Sequence, residues 1–258
     1  MREYLTSNRT YYVATTGDDN GDGSAARPWR TNQHAYDWCR DKLDLGGRKI
    51  TIQMVGNLAG GSTLLGPMTG IKAPEDFAFH GGSPSQFIVS SPNAAFLFMA
   101  GDDARFAVQG MTLRSPGGMG VVSSEGVVKV GDLFFDEMDI SLDVCSPRSM
   151  IVGIGDLFWL HRPFRSAATA ECGGQINLSC NLIISGAPNF SGAFAQADLG
   201  GGIDATGAKV SHGAATGNRY GSFSNARVFT GLSKGDPAAQ TFFPGDKPGG
   251  CMDGGYFQ

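Results

Sequence analysis

Apolar and polar residues alternate in short bursts along this chain, separated by Gly, Asp, Asn or Pro. Ile50-Thr51-Ile52-Gln53-Met54-Val55, Phe77-Ala78-Phe79, Gln86-Phe87-Ile88-Val89, Met111-Thr112-Leu113 and Asn181-Leu182-Ile183-Ile184 have the alternation or the β-branched and aromatic content of strands. One phrase is written twice. Gly126-Val127-Val128-Lys129-Val130-Gly131-Asp132-Leu133-Phe134-Phe135 aligns with Met150-Ile151-Val152-Gly153-Ile154-Gly155-Asp156-Leu157-Phe158-Trp159 at a displacement of 24 residues. Phe96-Leu97-Phe98-Met99-Ala100-Gly101-Asp102 reads as a weaker first copy.

A repeat made of short strands and a turn cannot bury its apolar side alone, so its copies must stack. The pattern therefore predicts an all-β solenoid, a parallel β-helix. Leucine-rich repeats would need a Leu/Asn ladder, and helical repeats would need helices that such Gly-rich segments do not sustain. Only residues 32–45 carry a helical period, with Ala35, Trp38, Cys39 and Leu43 on one face, Thr31 or Asn32 as the cap and Gly46-Gly47 as the stop. This N-terminal helix is expected to cap the open end of the stack. The segments read as a polar attachment arm (1–10), a strand, turn and capping helix (11–49), the parallel β-helix (50–216) and a closing segment (217–258). Seven or eight coils of about 24 residues would make a rod of roughly 35 to 40 Å.

The 39 Gly in 258 residues suit a fold with several tight turns per coil. A net charge of −4 argues against a nucleic-acid partner, whose phosphates call for a basic face. No apolar run is long enough for a membrane span and Met1-Arg2-Glu3-Tyr4 does not open a signal peptide, so neither membrane insertion nor ordinary secretion is expected. Cys39, Cys145, Cys172, Cys180 and Cys251 are odd in number and irregularly spaced, and read as buried thiols of a chain folded in a reducing cytoplasm. No histidine has a partner at metal-ligand spacing, and no phosphate loop or Gly-x-Ser-x-Gly is present, so no metal and no cofactor is expected.

Two stretches carry a family resemblance. Tyr11-Tyr12-Val13-Ala14-Thr15-Thr16-Gly17-Asp18-Asp19-Asn20-Gly21-Asp22-Gly23-Ser24, followed by Arg27-Pro28-Trp29-Arg30-Thr31, resembles the start of pectate-lyase-like right-handed β-helices, an opening common in bacteriophage tailspikes and tail fibres. Phe242-Phe243-Pro244-Gly245-Asp246 and Gly254-Gly255-Tyr256 resemble the closing segment of phage tail-fibre proteins. Asp18-x-Asn20-x-Asp22-Gly23 also matches half of a calcium loop, but its twelfth position is Trp29 where a bidentate Glu is needed, so an Asx-stabilised turn is expected instead.

Alternation along the strand after Glu137 places Met138, Ile140 and Leu142 inside and Glu137, Asp139, Ser141 and Asp143 outside. A 24-residue step then sets His161 beside Glu137 and Arg165 beside Ser141, and a 27-residue step adds Thr112 and Arg114. Glu137 and Asp139, one pleat apart at about 6.5 to 7 Å, have the separation of an inverting glycosidase's carboxylates, and Arg165 or His161 can hold an acidic sugar. Arg as the base of a polysaccharide lyase is what the resemblance to pectate-lyase-like enzymes adds. The candidate catalytic residues are thus Glu137, Asp139, His161 and Arg165, and the candidate glycan-binding residues are Thr112, Arg114, Trp159 and Arg165. The competing account is a solvated face with charges of alternating sign, and core packing for most of Phe134, Phe135, Phe158, Trp159 and Phe164.

The resemblance implies a phage tail-fibre or tailspike component in the virion. Its function would be structural and host-glycan binding, without catalysis. It would form a homotrimer, contacting other tail or baseplate proteins through the N-terminal arm and host surface polysaccharide along the rod. The alternative is a tailspike depolymerase, a glycoside hydrolase or lyase acting on capsule or lipopolysaccharide. A free bacterial polysaccharide lyase is disfavoured by the lack of an export signal.

Overall fold

A computed structural model describes residues 1–160, 163–233 and 236–258. The chain winds into a parallel β-solenoid of about 8 turns. Strands of successive coils pair in parallel along three faces. The first face runs from Arg9–Val13 through Ile50–Met54, Phe77–His80 and the start of the long strand Arg105–Ser123, on through Val127–Val144 and Met150–Trp159, to Gln175–Asn177, Gly202–Asp204, Arg227–Phe229 and Tyr256–Phe257. The second holds Ile88–Ser90, the middle portions of those three long strands, Asn181–Ile184 and Lys209–Ser211. The third stacks Phe96–Gly101, the ends of Arg105–Ser123 and Val127–Val144, Pro163–Ala170, Asn189–Ala197, Tyr220–Ser222 and Gly250–Cys251.

Coil length is not constant. On the first face Arg105, Val127, Met150, Gln175, Gly202, Arg227 and Tyr256 succeed one another, so the step varies between 22 and 29 residues. The two similar phrases stack as expected from Leu133 opposite Leu157 onward, but before that Val127 faces Met150, one residue out of the sequence alignment. The shift is absorbed at the corner, where Asp132 (φ 50°) and Gly155 (φ 59°) take left-handed conformations and Asp132 Oδ1 accepts from the Asp156 amide at 3.1 Å. The weaker copy is not equivalent to the other two: Phe96–Gly101 pairs with Met119 to Ser123 on the third face.

Inward side chains stack from coil to coil. Near the N-terminus Phe77, Phe79, Phe98 and Phe106 form one aromatic cluster; further along, Phe135, Trp159, Phe194 and Phe243 form a file with ring centroids 5.3, 5.0 and 5.6 Å apart. The helix spans Asn32–Lys42, with the Thr31 hydroxyl capping the His34 amide. It covers the end of the stack as its apolar face predicts: Ala35, Tyr36 and Cys39 are buried, and Tyr36 sets its ring edge-on to Phe77 at 5.4 Å. Residues 1–10 fold onto this end, with Glu3–Tyr4 pairing Leu43–Asp44 and Leu5 buried. The acidic turn is held as an Asx turn, Asp18 Oδ1 accepting from the Asn20 amide and Asp22 Oδ1 from that of Ser24. Cys39 and Cys180 are buried, burial pushing the Cys180 thiol up to about 12, whereas Cys145, Cys172 and Cys251 are exposed, contrary to the expectation for all five.

Candidate functional site: an axial groove on the third face

Several of the predicted surface residues are positioned elsewhere by the register. Pro163–Ala170 follows Val127–Val144 at a 26-residue step, Ile140 facing Ser166, so Arg165 lies beside Asp139 rather than Ser141. Its Nε sits 3.2 Å from Asp139 Oδ2, with both side chains more than two-fifths exposed. Ser141 points inward: it is fully buried, and its hydroxyl accepts from Trp159 Nε1 at 3.0 Å. Trp159 itself is fully buried between Phe135 and Phe194 and is not available to stack on a sugar.

Thr112 and Arg114 lie on the second face, away from Asp139. Thr112 is buried and donates its hydroxyl to the Pro84 carbonyl at 2.7 Å. Arg114 donates from Nε to Asp136 Oδ2 at 2.7 Å, so the 27-residue step that put it near Asp139 and Ser141 does not hold. His161 lies outside the described residues. Of the exposed-aromatic candidates, Phe135 and Phe164 are buried, while Phe134 and Phe158 form a half-buried pair on the second face with ring centroids 4.5 Å apart.

What the coils do bring together is Glu137, Asp139 and Arg165. With Pro116, Gly117 and Phe164 they line a shallow depression of about 280 Å³ that ends at Ser191. Ser191 also opens a second depression of about 500 Å³, whose walls include Gln196, Asn218, Tyr220, Phe223 and Gly249. The two join into one groove crossing successive coils parallel to the axis, about 24 Å from Gly117 to Gly250 at the usual strand spacing. One end carries charge; the other carries amides, hydroxyls and bare backbone.

No family model, curated protein or solved structure matches this chain.

The local structure of the groove departs from a plain pleat. Glu137 has φ 54°, at a corner where the pairing register also shifts, so the even spacing assumed for Glu137 and Asp139 is interrupted. Tyr220 is almost fully buried, stacked on Phe257 and donating its hydroxyl to Gln240 Oε1 at 2.9 Å. Its ring lies so close to Gly249 that a Cβ there would meet it at 2.3 Å, which makes glycine necessary for this wall. Asn218 Nδ2 donates to the Gly192 carbonyl at 2.7 Å, and Ser166 Oγ donates to Gln196 Oε1 at 3.4 Å, which holds both amides across neighbouring coils.

Behind Gln196 in the same ladder are Thr169 and then Asp143. Both are buried, and Thr169 Oγ1 has no hydrogen-bond partner. Burial first, and then the nearby Glu171 carboxylate, raise the Asp143 carboxyl to about 7 against a lowering influence of Arg165. Among the described residues no three His, Cys, Asp or Glu side chains converge as metal ligands would. Ser191, Gln196 and Asn218 escaped the sequence analysis because unequal coil lengths hide which residues share a face. The Asn-, Ser- and Gly-rich composition of 189–221 was the available signal.

Proposed function

We propose that this chain is a glycan-binding component of a bacteriophage tail fibre or tailspike, working in the virion without turnover. One observation carries this reading: the groove runs along the axis and offers a polar group at each coil, from Asp139 and Arg165 through Ser191 to Gln196 and Asn218. A flexible polysaccharide presents hydroxyls at regular intervals, and a ladder of amides, hydroxyls and one ion pair suits it better than a compact metabolite. Each contact is weak, and a homotrimer carried in several copies would multiply them into firm adhesion. The end closed by the helix would face the tail and its partner proteins.

A second reading, a depolymerase, is favoured by Glu137 and Asp139 bordering one groove. Against it, Asp139 is already neutralised by Arg165, and the groove is open to water along its length. The protein should be incubated with purified capsule or lipopolysaccharide of candidate hosts, with binding measured alongside new reducing ends and unsaturated uronate absorbance. Binding that weakens on Arg165→Gln, with no product, is the expected result. Product formation abolished by Glu137→Gln or Asp139→Asn would replace it with the depolymerase, and absence of binding to every glycan would remove both.

A further inference from the structure

A second concave site lies on the first face, near the C-terminal end. There the outward ladder Gln175, Gly202, Arg227, Tyr256 runs beside the ladder Asn177, Asp204, Phe229. Gly202 has no side chain, and the Gln175 amide folds over it: a Cβ there would come within 2.3 Å of Gln175 Oε1. The result is a cleft of about 190 Å³ lined by Gln175, Gly202, Asp204, Arg227 and Phe229. At Phe229 it opens into a broader depression of about 540 Å³ that includes Tyr256, whose half-buried ring stands edge-on to that of Phe229 at 5.9 Å.

The polar groups here differ in kind. Asp204 spends Oδ1 on the Thr206 amide, while Arg227 makes no ion pair with any described residue. The neighbouring backbone donors are spent: the amides of Gly200, Gly201 and Gly202 go to the carbonyls of Ser224, Asp198 and Gly174. A phosphate, which wants a cup of backbone N–H groups, would find only one cation. A carboxylate matches that single planar guanidinium, and half-buried aromatic rings beside amide and carboxylate groups match a sugar ring.

We propose that this cleft binds an acidic monosaccharide unit, with Arg227 taking the sugar carboxylate, Gln175 and Asp204 the hydroxyls, and Phe229 and Tyr256 the apolar side of the ring. The site is separate from the axial groove and does not depend on the function proposed for it.

Saturation-transfer NMR and calorimetry on the full chain, with galacturonate as probe and galactose as neutral control, test this. Galacturonate binds at least about tenfold tighter than galactose, the effect of one charge-assisted contact. Arg227→Gln, at an exposed position, removes that preference with no change in melting temperature, and Gly202→Val, whose side chain drives the Gln175 amide from its place over residue 202, removes binding. Arg148→Gln, at an exposed position outside the cleft and the groove, leaves galacturonate affinity unchanged. The proposal is overturned if the wild-type chain binds neither sugar or both alike, if Arg227→Gln keeps the preference, or if Arg148→Gln abolishes it. Should Gly202→Val not fold, the Arg227 variant decides alone.

Discussion

Asp139 and Asp143 stand four residues apart on one strand and meet opposite conditions. Asp139 is partly exposed and ion-paired with Arg165 at 3.2 Å. Asp143 is buried, next in ladder order to Thr169, and that burial, with Glu171 adding to it, raises its carboxyl to about 7. The first can exchange its partner for a ligand at little cost, because exposed ion pairs contribute only about 0 to 1 kcal/mol. The second lowers the stability of the fold at neutral pH, since burial disfavours its charge. A carboxylate in a β-solenoid is therefore a binding group or a structural burden according to how deep the neighbouring coil's side chains leave it.

Breaking that contrast at Asp143 has the largest expected effect. Its folded pKa of about 7 lies above the ordinary carboxylate value, so between roughly pH 4 and 7 the folded chain holds a proton that the unfolded chain has lost. Stability consequently falls as pH rises through that window. Below it the penalty is absent, and above pH 7 it reaches its full value, roughly 4 kcal/mol. Asp143→Asn should match wild type near pH 4, exceed its stability at pH 8, and flatten the slope between. Urea denaturation at intervals across that range measures this, and an unchanged slope would show that Asp143 is not the group responsible.

Ser141, between the two carboxylates, turns the other way, and its replacement has the next largest effect. Ser141→Ala strands Trp159 Nε1 inside the core without its 3.0 Å acceptor, at an expected cost of about 1 to 3 kcal/mol. Trp159→Phe in the same background removes the orphaned donor and should recover part of the loss. A double-mutant cycle by chemical denaturation would reveal this coupling, and strictly additive effects would contradict it.

The fold was legible in the sequence because its signal is local. Alternation within Ile50–Met54 and Val127–Val130, the Gly-Asp corners and the capped helix Asn32–Lys42 each declare themselves within a few residues. The site was less legible because it depends on which residue stacks on which. A constant 24-residue step placed Arg165 beside Ser141; the true step of 26 gives Asp139, and only the unequal turns account for the difference. Alternation was right for Met138 and Leu142 but failed at Ser141, where the inward file Trp159 and Phe194 supplies a partner for a hydroxyl. Trp159 was read as a surface aromatic although its sequence counterpart Phe135 lies in the same buried file. Glu137 and Asp139 were identified as neighbours, yet the left-handed turn at Glu137 is invisible to a pleat-based argument.

The smallest stability effect belongs to the exposed half of the contrast, and there the useful signal is in binding. Arg165→Gln removes a half-exposed pair and should shift unfolding free energy by less than about 1 kcal/mol, while leaving the stability slope assigned to Asp143 nearly in place. The same change takes from the groove its only described cation, so affinity for an acidic host glycan should fall about tenfold, and more steeply at low salt than at high. Reversing the pair with Asp139→Arg and Arg165→Asp keeps the charge count and places the cation one coil away. If binding follows the position of the charge, the reversed variant will bind more weakly despite an intact ion pair; if it follows net charge alone, affinity will return, and the geometric account of the groove fails.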